Sequence, residues 1–198
     1  MTRLLVVRHG RTGWNASRMI QGQLDVELDE VGRGQVAALA PRLAALAPDA
    51  IVASDLRRAA DSAVPLADLT GLPVRLDPRL RERSFGQWQG LHGSEIAERY
   101  PEEYARWRAG KDVDGCDVEE LDDLAKRASE ALREAADLAP DGTVVAFCHG
   151  GTAKYGLAAL LGWPATVLPS LGPLGNCRWA DLHRDTIRGW QLHGYNLR

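Results

Sequence analysis

The sequence predicts an α/β three-layer sandwich, with a mostly parallel central sheet flanked by helices. Three observations point there. Short apolar runs alternate with longer helical stretches, the pattern of strand–helix–strand crossovers. Two of those runs, Leu4–Val7 and Thr143–Cys148, are continuous rather than alternating, as strands buried on both faces read. The 198 residues hold no internal repeat and no low-complexity linker, so a single domain over 1–198 is expected.

Leu4–Val7 is the first strand, ended by Arg8, His9 and Gly10. A helix is expected from Glu30 to Leu46, with Val31, Leu39, Leu43 and Leu46 on one side and Pro41 kinking it. Ala50–Ala53 is a second strand. Asp55–Leu69 follows as a helix, with Ser54 expected to cap its start and Gly71 to stop it. Pro73–Leu76 is a third short strand. The stretch 86–117, rich in glycine and aromatics, reads as a lobe of loops and short helices over the sheet. Asp117–Leu138 is an amphipathic helix and Thr143–Cys148 the strongest strand, followed by His149-Gly150-Gly151 and another helix. Cys177–His183 and Ile187–His193 alternate as a hairpin around Arg184–Thr186.

Composition narrows the function classes. A net charge of −3 implies no broad nucleic-acid surface and no polybasic membrane tail. No apolar stretch approaches the ~20 residues of a membrane span. No secretory signal is expected at the start, because Leu4–Val7 is short and runs into charge. Cys116, Cys148 and Cys177 cannot all pair and show no CxxC spacing, so reduced thiols in a cytoplasmic protein are expected.

The chemistry concentrates at strand ends. His9 and His149 each lie just past the carboxyl end of a buried strand, the edge where open α/β sheets gather their ligands. A lone histidine there is more often a satisfied core residue; two at equivalent edges weaken that reading. Arg57 and Arg58 sit at a helix start, where the dipole disfavours cations, so an anionic ligand or a nearby aspartate must answer them. Glu82 lies between arginines before an aromatic, glycine-rich loop and is a candidate general acid; the plainer reading is a surface ion pair.

Taken together, Arg8-His9-Gly10-x-Thr12-x-x-Asn15, Gln21-Gly22-x-x-Asp25, Ser54-x-Leu56-x-Arg58-Ala59, Leu80-x-Glu82 with Phe85-Gly86-x-Trp88-x-Gly90, and His149-Gly150-Gly151 resemble the histidine phosphatase, or phosphoglycerate mutase-like, superfamily along the whole chain. The resemblance implies a phosphatase for a small phosphate ester. His9 is then the nucleophile and Glu82 the proton donor, while Arg8, Asn15, Arg58, His149 and Gly150 hold the phosphoryl group. His149 would act best as imidazolium. Gln21, Gly22 and His92 are candidate contacts for the rest of the substrate. No metal and no cofactor are implied, and a homodimer is the assembly to expect. Arg11, Arg18 and Lys154 are candidates for a substrate carboxylate.

Two departures stand out. Asp114–Val118 replaces a Gly-Gly-Glu-Ser stretch common in relatives, and Gln89 stands where many have glutamate. Within the superfamily the motifs look most like the glucosyl-3-phosphoglycerate phosphatases. A cofactor-dependent phosphoglycerate mutase is the alternative activity, though the longer insertions usual in mutases are lacking. A non-catalytic phospho-ligand binding module is the third reading, and it predicts loss of His9, Glu82 or His149, all of which are present.

Overall fold

The computed structural model describes residues 1–198 and places six strands in the order β3-β2-β4-β1-β5-β6. These are β1 (Thr2–Arg8), β2 (Ala50–Ala53), β3 (Val74–Leu76), β4 (Thr143–Cys148), β5 (Trp179–Asp185) and β6 (Gly189–Leu197). The pairs β1–β4, β2–β4 and β2–β3 are parallel; β5 and β6 add antiparallel to the β1 edge. The sheet is therefore mixed but mostly parallel, as expected.

Side-chain alternation along the central strands makes the two faces. Leu4, Val6, Val144, Ala146 and Cys148 pack under α6 (Leu121–Ala136) and α7 (Gly150–Leu160). Leu5, Val7, Ile51, Ala53, Val145 and Phe147 pack under α2 (Glu30–Ala44) and α3 (Arg57–Thr70). Burying strands on both faces explains why β1 and β4 read as continuous apolar runs.

Some expectations are corrected. Val31 is exposed, and Val36, Leu39, Ala40 and Leu43 form the buried stripe of α2. Ser54 does not cap α3. The helix starts two residues later than expected, with Leu56 at its cap position, and the Ser54 hydroxyl is drawn into the sheet edge. The C-terminal hairpin turns at 186–188, later than expected, because Asp185 accepts backbone N–H bonds from Ile187 and Arg188. Gly71 does end α3, with φ of 71°.

The 86–117 stretch contains α4 (Gly93–Arg99) and α5 (Pro101–Arg108) around a small core of Trp88, Ile96 and Val113, with Val118 just beyond it. It is tied to the N-terminal loop, just past α1 (Gly13–Ser17), by the Met19–His92 bridge and by the backbone bonds of Ile20 with Leu91 and Gly90. No helix is long and apolar enough to cross a membrane.

Candidate active site

The register of β1 against β4 pairs Arg8 with Cys148, so the next residues, His9 and His149, emerge side by side. Their ring centroids lie 5.1 Å apart, and both residues are buried. Nδ1 of His9 is 2.6 Å from the Gly10 carbonyl oxygen. That carbonyl can only accept, so Nδ1 carries the proton and Nε2 presents its lone pair. Gly10 is required by close approach and not by an unusual dihedral: a Cβ there would stand 2.8 Å from the Gly32 oxygen.

Arg8 and Arg58 flank this pair. Arg58 is buried at the start of α3, where Nη1 donates to Leu24 O (2.8 Å) and Nη2 to Gly22 O (2.7 Å). Arg8 Nη1 donates to Leu174 O at 2.7 Å. Nε of Arg8, Nε of Arg58 and Nδ1 of His149 are buried and have no hydrogen-bond partner. Buried donors left unpaired are costly and rare. The two guanidinium Nε donors and the His149 Nδ1, beside the buried His9 Nε2 lone pair, make a cradle able to take an anion. Asn15 is linked to His9 through Asn176: its Oδ1 accepts from the Thr12 backbone N–H and from Asn176, which also donates to His9 O, and its amide Nδ2 is left to donate.

Glu82 stands across from the arginines. Its Oε1 accepts from the backbone N–H groups of Arg83 (2.9 Å) and Thr152 (3.0 Å), and its Oε2 from Gly151 N–H (3.1 Å). The first turn of α7 therefore holds the carboxylate. Gly151 is the residue this requires, since a Cβ would lie 2.6 Å from Oε1.

Burial first, then the charges of Arg58 and Arg8, push the His9 imidazole well below its ordinary pKa. His149 is pushed down the same way, by burial and then Arg58. Burial and the two guanidinium groups disfavour the imidazolium form of His149, so the charge expected of it has to come with a bound anion. The stability consequence has a definite sign. Below pH about 6.5 the unfolded chain takes up protons on both histidines that the folded chain refuses. Stability should therefore fall on acidification from that point, by up to about 1.4 kcal/mol per pH unit for each histidine. Thermal melts between pH 5 and 7, without phosphate, check this. A His9→Asn/His149→Gln double variant should show a shallower fall, and an unchanged slope would refute the assignment.

The remaining candidates fall in other places. Gln21 is buried and accepts from the Thr12 hydroxyl; Gly22 (φ 52°) serves through its carbonyl on Arg58. His92 caps α4, where its N–H donates to Glu95. Arg57 donates its backbone N–H to Asp25 and pairs with Glu27. Arg11 is committed to Asp29, Arg18 is exposed, and Lys154 donates to Leu171 O. Lys154 also lines a cavity of about 750 Å³ with Trp107, Tyr155 and Trp163, which shares no residue with the cluster above. Gln89 needs no charge, because its Oε1 accepts from Gln23 N–H at 2.7 Å. Ser54, 2.9 Å from His149 Nε2, and Asn176, bonded to His9 O and Asn15, were not assigned roles from sequence. Ser54 reads as a helix cap within its motif, and the Leu171–Asn176 stretch carries resemblance to relatives without giving Asn176 a role.

Comparison with known proteins agrees with this geometry. The model of the histidine phosphatase superfamily (branch 1) matches residues 4–198. Glucosyl-3-phosphoglycerate phosphatase of Mycobacterium tuberculosis (strain H37Rv) is 43% identical over 210 residues, covering 98% of this chain and 94% of that protein. A metal-independent phosphoserine phosphatase of Arabidopsis thaliana is 38% identical over 159 residues, covering 78% of this chain and 66% of that one. The solved structure of mycobacterial glucosyl-3-phosphoglycerate phosphatase with VO3 superposes with a TM-score of 0.88 at 39% identity, over 100% of both chains.

Proposed function

This chain belongs to the histidine phosphatase superfamily (branch 1) and is a phosphatase for small phosphorylated metabolites; from that premise we propose that it hydrolyses glucosyl-3-phosphoglycerate, without a metal, through a phosphohistidine on His9. The observation that carries the chemistry is the His9 tautomer, with Nδ1–H on Gly10 O and Nε2 free beside the unpaired donors of Arg8, Arg58 and His149.

In the first step His9 Nε2 attacks phosphorus and the bond to the ester oxygen breaks. Glu82 gives its proton to the departing oxygen. In the second step water attacks phosphorus, Glu82 takes the water's proton, and the P–N bond breaks to restore the neutral imidazole and release phosphate. Splitting the reaction replaces one hard displacement by two easier ones. The transition state is loose, so catalysis is mostly positioning and charge stabilisation. Arg8 and Arg58 supply that charge, and an arriving phosphoryl dianion offers His149 the counter-charge it needs to protonate. Support for the metal-free route comes from this arginine pair and from the metal-independent phosphoserine phosphatase relative. The glucosylated substrate is supported by the 43% identity over nearly the whole chain. Three free thiols, two of them buried, fit a cytoplasmic setting.

Phosphate release with a chelator present, across glucosyl-3-phosphoglycerate, 3-phosphoglycerate, phosphoserine and sugar phosphates, tests the reading. The highest kcat/KM is expected for glucosyl-3-phosphoglycerate, unaffected by chelator. Preference for phosphoserine would overturn the substrate, and loss of activity on chelation would overturn the metal-free route.

A further inference from the structure

We infer that the Arg127–Glu119 ion pair is a positioning device for Glu82, which sets the rate of proton delivery to poor leaving groups; this rests on Glu82 being the acid. The segment from Arg81 to Phe85 that carries Glu82 lies between two short 3-10 turns, outside any strand or helix, and besides the Phe85–Val118 bridge it is held largely by side-chain bonds. Arg127 reaches it from α6. Its Nη1 donates to the carbonyls of Arg79 (2.6 Å) and Arg81 (2.7 Å), and its Nη2 to that of Glu82 (3.0 Å). Nε and Nη2 also form a bidentate pair with Glu119, at 2.6 and 2.8 Å. Five bonds use the five N–H donors a guanidinium has.

Glu119 closes the grip from the other side. Its Oε2 accepts from Ser84 N–H, its backbone N–H donates to Ser84 O, and its carbonyl accepts from Arg83 Nε at 2.7 Å. One ion pair thus holds the backbone on both sides of Glu82, while α7 holds the carboxylate itself. The Thr152 hydroxyl, donating to Arg81 O, links the two supports. Gly115, Cys116 and Asp117 turn through positive φ, and the carboxylate that acts nearby is Glu119, just beyond them. Lysine cannot replace the arginine, because an ammonium has three donors and no planar fork. Misplacing a catalytic group by about 1 Å can cost 10²-fold in rate.

The experiment compares p-nitrophenyl phosphate, a good leaving group, with an alkyl phosphate in Arg127→Lys, Glu119→Gln and Glu82→Gln enzymes. Arg127→Lys is expected to lower kcat for the alkyl ester about tenfold or more beyond its effect on the aryl ester, with KM nearly unchanged. Glu119→Gln should act in the same direction, and it carries the test if Arg127→Lys does not fold. On a Glu82→Gln background, Arg127→Lys should add no further discrimination. Equal losses for both esters, a change in KM alone, or an undiminished effect on that background would overturn the positioning role while leaving Glu82 as the acid. If Glu82→Gln itself slows both esters equally, the acid assignment fails, and the inference falls with it.

Discussion

Replacing His9 with alanine is expected to lower kcat by about 10⁴-fold or more, the scale seen when a nucleophile that works as part of a unit is removed. Arg8, Arg58 and His149 would still hold the ester, but nothing within the cradle could take the phosphoryl group, and water would have to attack the dianion directly. The His9 side chain is buried and its Nδ1 bond to Gly10 O is local, so truncation costs a small cavity but breaks no long-range hydrogen bond of the side chain. Ester binding should survive in the variant. Rapid acid-minimised quenching with a ³²P-labelled ester should trap label on wild-type protein with the base stability of phosphohistidine, and none on His9→Ala. Turnover within tenfold of wild type, or label on another residue, would remove His9 as nucleophile.

Much of this arrangement could be read before any coordinates. Leu4–Val7 and Thr143–Cys148 are apolar on both faces, and continuous apolar runs admit few alternatives once helices flank them. Their ends place His9 and His149 at one sheet edge, because parallel strands share a direction. The supports of the site were less legible, for a physical reason. Ser54, Asn176 and Glu119 act through contacts across 95, 167 and 35 residues of sequence, on His149, His9 and Ser84. No local periodicity records such pairings. Arg127 is an ordinary helical arginine in sequence, and only the fold shows that α6 brings it beneath the Glu82 segment. The lowered pKa of His149 was not legible either, because the sequence names the cations around it without showing that burial removes the water that would screen them.

Arg58→Met should give the second large loss, about 10³-fold or more in kcat, comparable to removing an arginine that neutralises a transferring phosphoryl group. The argument is electrostatic. Burial pulls the Arg58 guanidinium down to about 10, with Glu82 and Asp25 opposing that shift and Arg8 adding to it. Arg8 is likewise lowered by burial. Two desolvated cations near each other are tolerated because Glu82 lies opposite and because backbone carbonyls of the 22–24 loop take the Arg58 Nη groups. A bound phosphoryl dianion relieves this frustration, so inorganic phosphate should raise the melting midpoint of the wild type, as any ligand specific for the folded state does. Methionine keeps most of the volume and removes the charge. It leaves Gly22 O and Leu24 O without their donor, at about 1–3 kcal/mol for a buried acceptor, set against relief of the repulsion with Arg8. Stability should therefore change far less than activity, and the phosphate-induced rise in midpoint should largely disappear. A variant that keeps kcat within tenfold, or that still gains the full midpoint shift from phosphate, would show that Arg58 shapes the 22–24 loop and does not clamp the phosphoryl group.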